Sequence, residues 1–320
     1  MLQIGNLKLN SHLILAPMAG ITDLPFRLLN RRFGCELAFI EMLNVRSVSY
    51  KSRKTQEMLS SAPEDRPLGV QILGKEPEFI LRALEVLGPH KFDIIDFNAA
   101  CPVKKVIRRG EGAALLREPK KLKALLKCVV KNSLQPVTVK IRSGWDEKSV
   151  NATEVGLWAE DAGIKALFIH GRTRAQGYSG GVDYALIRKV RQALKIPVIA
   201  SGDILSASLV KRMFDETGCA GVAIARGALG NPWIFGEVKK FLEEGAAFSM
   251  PSREEIIQVM IEHLNSYVGF FGERIGIVKF RKFFGWYVRG WRKVRRLKEK
   301  SSRVKKAKEL LEIIQLTKAL

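Results

Sequence analysis

The sequence predicts an α/β protein, a (β/α)8 TIM barrel followed by a C-terminal α-helical domain. Short apolar runs ending in polar or glycine-rich loops alternate with helix-like segments through the first 225 residues. The alternation repeats eight times. Beyond Pro251 strand signals are absent and the texture is helical. Parallel strands need a crossover connection, usually a helix, and eight such units in about 240 residues suit a closed barrel. A doubly wound open sheet is the structural alternative.

The eight runs are Leu13–Ala16, Leu37–Ile40, Gly69–Leu73, Ile94–Asn98, Val137–Ile141, Ala166–His170, Val198–Ser201 and Gly221–Ala225. They are too short for helices and mostly rich in Val, Ile, Leu and Ala. Helix-like segments such as Glu78–Leu87 and Pro119–Lys131 separate them. Farther on, Ser252 is placed to cap a helix, with Glu254 and Glu255 in its first turn, where the dipole favours negative charge. The expected division is a barrel over residues 1–245 and a helical domain over residues 246–320.

Charge narrows the function. The 320 residues hold 54 Lys and Arg against 32 Asp and Glu, a balance of +22. Such a field attracts polyanions, meaning nucleic acid or an anionic membrane surface. Residues 251–320 hold 17 basic and 7 acidic residues, nearly half of the excess, and Arg274–Lys308 holds 15 basic residues and one acid, Glu299. No apolar run approaches the roughly 20 residues of a membrane helix, and no signal peptide is evident. Cys35, Cys101, Cys128 and Cys219 form no C-x-x-C pair. A zinc site or disulfide framework is therefore not expected, and a reducing cytoplasm fits.

Unusual residues fall at the C-terminal ends of the runs, where barrels of this type carry their chemistry. The first run leads into Pro17-Met18-Ala19-Gly20. The third carries Gln71, and the fourth ends in Asn98 and leads to Cys101-Pro102. Lys140 and Arg142 mark the fifth, and His170 ends the sixth. Ser201-Gly202-Asp203 follows the seventh and Ala225-Arg226-Gly227 the eighth. Burying an unpaired charge is costly, so several charges at the same end of successive strands indicate a polar pocket. The last two loops are where barrels often bind phosphate; glycine admits close backbone approach and Arg226 offers a fork of donors. Gly110–Leu115 follows no strand and carries no dinucleotide fingerprint. Cys101 stands in a loop stiffened by Pro102 and is the reactive candidate. An ordinary thiol pKa near 8.5 leaves it protonated at neutral pH and fit to be an acid. Cys35, Cys128 and Cys219 read as small core residues.

Five segments carry a resemblance: Ala16-Pro17-Met18-Ala19-Gly20-Ile21-Thr22-Asp23, Asn98-Ala99-Ala100-Cys101-Pro102, His170-Gly171-Arg172-Thr173-Arg174-Ala175-Gln176-Gly177-Tyr178, Ser201-Gly202-Asp203-Ile204, and Arg226-Gly227-Ala228-Leu229-Gly230-Asn231-Pro232-Trp233. In order and spacing they resemble the tRNA-dihydrouridine synthases, most of all the bacterial B-type subgroup. The resemblance implies a flavin mononucleotide (FMN) on the C-terminal face, reduced by NADPH, and a tRNA substrate. It implies that Pro17, Met18 and Ala19 line the flavin ring and that Gln71 and Lys140 bond its polar edge. Ser201, Gly202, Asp203, Ala225 and Arg226 would hold the phosphate end, while Asn98, Arg142 and His170 would face the uracil or the flavin edge. Hydride would pass from reduced FMN to C6 and a proton from Cys101 to C5. Two positions depart from the family's usual pattern: Ser201 stands for Asn and Ala225 for Gly. The basic helices would grip the tRNA, with Trp286, Tyr287 and Trp291 either adding aromatic surface or packing between helices. A reductase of a free pyrimidine, like a dihydroorotate dehydrogenase, and a non-catalytic RNA-binding protein are the competing readings. If the charge reading is right, RNA affinity falls steeply as salt rises, because phosphate contacts release counterions. A salt titration of tRNA binding that stays flat contradicts it.

Overall fold

Apolar strands can bury both faces only if helices cover the outside and side chains fill the inside, and the chain satisfies both conditions. The structure, a computed structural model, describes residues 1–245 and 250–319. Eight strands run in parallel: β1 (Leu13–Leu15), β2 (Leu37–Phe39), β3 (Leu68–Leu73), β4 (Ile94–Ala99), β5 (Val137–Arg142), β6 (Ala166–His170), β7 (Val198–Ser201) and β8 (Gly221–Ile224). Each pairs with the next, and β8 pairs with β1 through Ile224 and Leu15, which closes the barrel. The open-sheet alternative is thereby excluded. Every expected run is a strand to within a residue at its ends. Amphipathic helices such as Pro77–Leu87, Pro119–Asn132 and Tyr184–Ala193 cover the outside.

The sequence reading did not anticipate the hairpin of Leu2–Ile4 and Leu7–Leu9. Its Leu2, Ile4 and Leu9 are buried against Ile14, Leu37, Ile94 and Ile199 and plug the bottom of the barrel. Above them Phe39 and Phe168 meet edge to face, 5.7 Å apart. The lower barrel is thus an apolar floor, and space for polar chemistry remains only toward the C-terminal ends of the strands.

The helix Leu24–Arg32 fixes the loop that follows β1. Arg27 donates to Thr22 O at 2.7 Å, and Arg27 and Arg31 both pair with the fully buried Asp65 at 2.7 Å. The helical region then packs against this edge. Its first helix, Arg253–Phe271, starts with the expected Ser252 cap, completed as a capping box by Glu255. The next, Glu273–Tyr287, packs Phe280, Phe283 and Phe284 against it, and Phe283 stacks on Phe26 of the barrel at 5.5 Å. Gly230 is needed where the two regions touch. Its φ is +69°, and a Cβ there would lie 2.5 Å from the backbone of Trp286 and Tyr287. Tyr287 is buried and bonds His263 at 3.0 Å, so it is a packing residue and adds no aromatic surface. Trp286 and Trp291 are partly buried against the same core. The expected boundary at residue 246 meets a segment, 246–249, that lies outside the described residues. Among the described residues no helix is long and apolar enough to cross a membrane.

Removing one partner of a buried ion pair leaves an uncompensated charge, at a cost of about 3–5 kcal/mol. Asp65→Ala strands two guanidinium groups and is expected to lower the unfolding free energy by about that amount in a urea titration. A loss below about 1 kcal/mol would show the cluster to be structurally idle.

Candidate active site

Side chains that alternate along a strand point by turns into the barrel and out to the helices. The inward set at the upper end of β3 to β7 is polar, β8 adds Ala223 and Ala225, and a cavity of about 400 Å³ opens above them. Every residue nominated from the sequence lines that cavity: Pro17, Met18, Ala19, Gln71, Asn98, Cys101, Lys140, Arg142, His170, Ser201, Gly202, Asp203, Ala225 and Arg226. Met42, Tyr178 and Leu229 are among the further residues of its wall.

Cys101 lies half-buried at the rim of the strand ends. Its N–H and that of Ala100 both donate to Asn98 Oδ1, at 2.9 and 3.0 Å, and its carbonyl accepts from Ala113 N at 3.1 Å. Burial pushes the thiol up from its ordinary range, against weaker opposing effects of the Val103 backbone and Arg142. The group is therefore a neutral S–H at physiological pH. Asn98 donates to Gln71 Oε1 at 2.7 Å and to the weak acceptor Met42 Sδ at 3.2 Å. A substrate carbonyl could replace the sulfur.

Lys140 enters the cavity from β5. Burial lowers its pKa, and the nearby Asp96 opposes that shift. Among the described residues no side chain or carbonyl bonds its ammonium, so its donors are free for a ligand. Arg142 is more constrained than expected. It donates to Ala100 O at 2.8 Å, Thr173 O at 3.0 Å and Gly177 O at 2.8 Å, which ties the Cys101 loop to the loop after β6. His170 is pushed down to about 2, first by burial and then by Arg142, Lys140, Arg172 and Arg226. It stays neutral. A guanidinium can only donate, so the 3.4 Å contact of Arg172 Nη1 with His170 Nε2 leaves the ring proton on Nδ1.

The far side of the cavity gathers two guanidinium groups around one carboxylate. Asp203 pairs with Arg226 at 2.8 Å and with the buried Arg172. Gly202 has φ +118°, and a Cβ there would meet Val182 and His170 at 2.8 and 2.9 Å, so only glycine fits. Among the described residues the N–H groups of Gly202 and Asp203 find no acceptor. Ser201 Oγ donates to Ile169 O at 3.1 Å. Tyr178 lies between two cations, its ring 5.6 Å from the Arg142 guanidinium carbon and 5.0 Å from that of Arg226.

The sequence reading missed three residues here. Arg172 and Tyr178 stood in a quoted motif without a role. Asp96 was passed over as part of an apolar run, although it precedes Asn98 by two residues and so shares its inward face. Asp96 Oδ1 accepts from Thr138 Oγ1 and Oδ2 from Gln71 Nε2, both at 2.7 Å. One packing expectation also needs correction: Cys35 and Cys219 are buried, but Cys128 is only partly covered, because its helix faces solvent there. No group of three His, Cys, Asp or Glu among the described residues could hold a metal ion.

Comparison with known proteins gives a consistent result. Residues 14–320 match the family described as "Dihydrouridine synthase (Dus)". The chain is 39% identical over 291 residues to a probable tRNA-dihydrouridine synthase of Rickettsia bellii, covering 91% of this chain and 89% of that protein. It is 41% identical over 288 residues to tRNA-dihydrouridine synthase B of Xanthomonas axonopodis pv. citri, covering 90% and 87%. Among solved structures it resembles morphinone reductase, with a TM-score of 0.57 and 14% identity over 80% of this chain and 91% of that one, a likeness of fold alone.

Burial raises Asp96 from the ordinary 3.8 to about 6, the hydrogen bonds of Thr138 and Gln71 and the charge of Lys140 opposing it. The native state holds this proton to about pH 6 and the unfolded chain only to about 3.8, so ionising Asp96 costs native stability. That stabilising contribution is complete below pH 3.8 and is lost as pH rises through about 6. Relative to Asp96→Asn, wild-type stability should fall across that window by on the order of 3 kcal/mol and then level off. Parallel denaturation curves at pH 4 and 7 giving the same difference would contradict this.

Proposed function

The chain belongs to the dihydrouridine synthase family, and from that premise we propose that it reduces uridines in tRNA to 5,6-dihydrouridine on the cavity shared by Cys101, Lys140 and His170. The observation that carries the reading is a protonated thiol and an unpaired ammonium facing one cavity whose far wall offers Arg226 and two free backbone N–H groups.

The residues present fit a flavin mononucleotide. The free ammonium of Lys140 suits an electron-rich ring edge. The two free N–H groups at Gly202 and Asp203, with Arg226, suit a phosphate. Pro17, Met18 and Ala19 would flank the ring, Gln71, Lys140 and His170 its polar edge, and Ser201, Gly202, Asp203, Ala225 and Arg226 the phosphate. When bound, the flavin supplies hydride to uracil C6, with NADPH as the reductant we infer. The two departures from the family pattern act on this wall: Ala225 adds a methyl, and Ser201 spends its proton on Ile169 O.

Cys101 holds its proton on Sγ and delivers it to C5 of the uracil. Asn98 and Arg142 fix the loop that carries the thiol, and Met42 marks where a base carbonyl could take the Asn98 donor. A base must leave its stack to reach such a site, at a cost of a few kcal/mol, and phosphate contacts elsewhere would offset it. A groove between barrel and helices adjoins the cavity at Ala19 and Met42, and its lining sets five cations, Arg53, Lys54, Lys105, Arg109 and Lys279, against three carboxylates, Asp23, Glu41 and Glu57. It supports a tRNA path across both regions, with residues 1–245 catalytic and 246–320 RNA-binding. A free pyrimidine would use none of these cations.

Cys101→Ala is expected to keep bound flavin and NADPH oxidation and to lose dihydrouridine formation by at least about 100-fold, the scale of general acid catalysis. Full product from that variant would remove Cys101 from the acid role.

A further inference from the structure

Asp96 touches neither the cavity surface nor the thiol, yet it stands at the root of a chain of hydrogen bonds that ends on the thiol's own backbone. It is 2% exposed and inward-facing on β4. Its Oδ2 accepts a hydrogen bond from Gln71 Nε2 at 2.7 Å. With that amide nitrogen held below, Gln71 Oε1 faces Asn98 and accepts from its Nδ2 at 2.7 Å. With Asn98 Nδ2 committed, Asn98 Oδ1 is left to receive the N–H groups of Ala100 and Cys101 at 3.0 and 2.9 Å. An amide has one accepting end and one donating end, and reversing it exchanges them. A carboxylate only accepts. The polarity of both amides is therefore set at Asp96, and a flip of Gln71 would set two N–H groups against each other at Asn98 and two oxygens against each other at Asp96. Buried polar groups left in that state are costly.

We propose that Asp96 is a positioning residue of the uridine-reducing site, anchoring a Gln71–Asn98 relay that holds the Cys101 loop in place. The inference rests on the functional reading above for its purpose, but not for its geometry. Thr138 supplies the contrast. It bonds the other carboxylate oxygen, Oδ1, and lies off the relay.

The test measures the rate at which iodoacetamide alkylates Cys101 across a pH series, on the full-length protein as purified, resolved by peptide mass spectrometry. Cys35 and Cys219 are buried and report whether each variant remains folded. Asp96→Ala removes the anchor and Gln71→Met cuts the relay at its middle. Both should release the loop and speed alkylation of Cys101 by about fivefold, the equivalent of one neutral hydrogen bond. Asp96→Asn retains an oxygen for Gln71 and should stay within about twofold of wild type, as should Thr138→Val. If Asp96→Ala does not fold, Gln71→Met decides the matter. Wild-type rates in the relay variants, or an equal rise in Thr138→Val, would overturn the proposal. Dihydrouridine formation by the wild-type protein, scored in parallel, tests the functional reading separately. If it is present and the relay variants do not respond, only the inference is lost.

Discussion

The structure turns on the burial of opposite charges inside a barrel whose lower half is apolar. Asp96 and Lys140 occupy the inward face of adjacent strands above Phe39 and Phe168, Asp96 shut away from water and Lys140 half-buried at the cavity wall. Such groups are tolerated only when every bond they can make is made, by the protein or by a ligand. Asp96 is satisfied by Thr138 and Gln71. Lys140 has only its partial compensation from Asp96, and its open donors define where a ligand must contribute. Burial is also the first cause of the neutrality of His170, which Arg142 and Lys140 reinforce, and of the protonated Cys101.

The second organising feature is the loop after β1. Gly20 N donates to Glu41, and Gly20 O accepts from Lys282 of the helical region. Asp23 caps the following helix, accepts a 2.6 Å bond from Tyr267 and lies 3.6 Å from Lys279. The residues that flank the proposed flavin ring are thus held from one side by the barrel and from the other by the helices that carry nearly half of the excess positive charge. Catalytic pocket and basic groove share a wall, which suits a reaction on one base of a large polyanion.

Much of this was legible in the chain. The eight strands showed as short apolar runs because parallel strands bury both faces and tolerate few polar residues. For the same reason Lys140, Arg142 and His170 stood out, and the cavity they line gathers the other nominated residues. Asp96 escaped notice because its meaning comes from partners distant in sequence: Thr138 is 42 residues away and Gln71 is 25. Arg142, expected to face the uracil or the flavin edge, does line the cavity, but it is also tied down. Its bonds to Ala100, Thr173 and Gly177 depend on where two loops meet, which no local pattern reveals. The N-terminal hairpin did carry a signal, apolar alternation around Gly5-Asn6, but its strands are only three residues long. Tyr287 sits in a basic, aromatic stretch that reads as surface. It is interior because the helix turns that one face toward His263.

The central claim is that the thiol, the flavin wall and the basic groove serve one reaction on a polynucleotide. Mapping tRNA by mass spectrometry after incubation with the protein, flavin mononucleotide and NADPH tests it most directly. The account predicts that particular uridines gain the mass of two hydrogens and that tRNA from cells lacking the gene is missing the same modification. Unchanged tRNA, together with reduction of free uracil or oxidation of dihydroorotate by the same preparation, would contradict it.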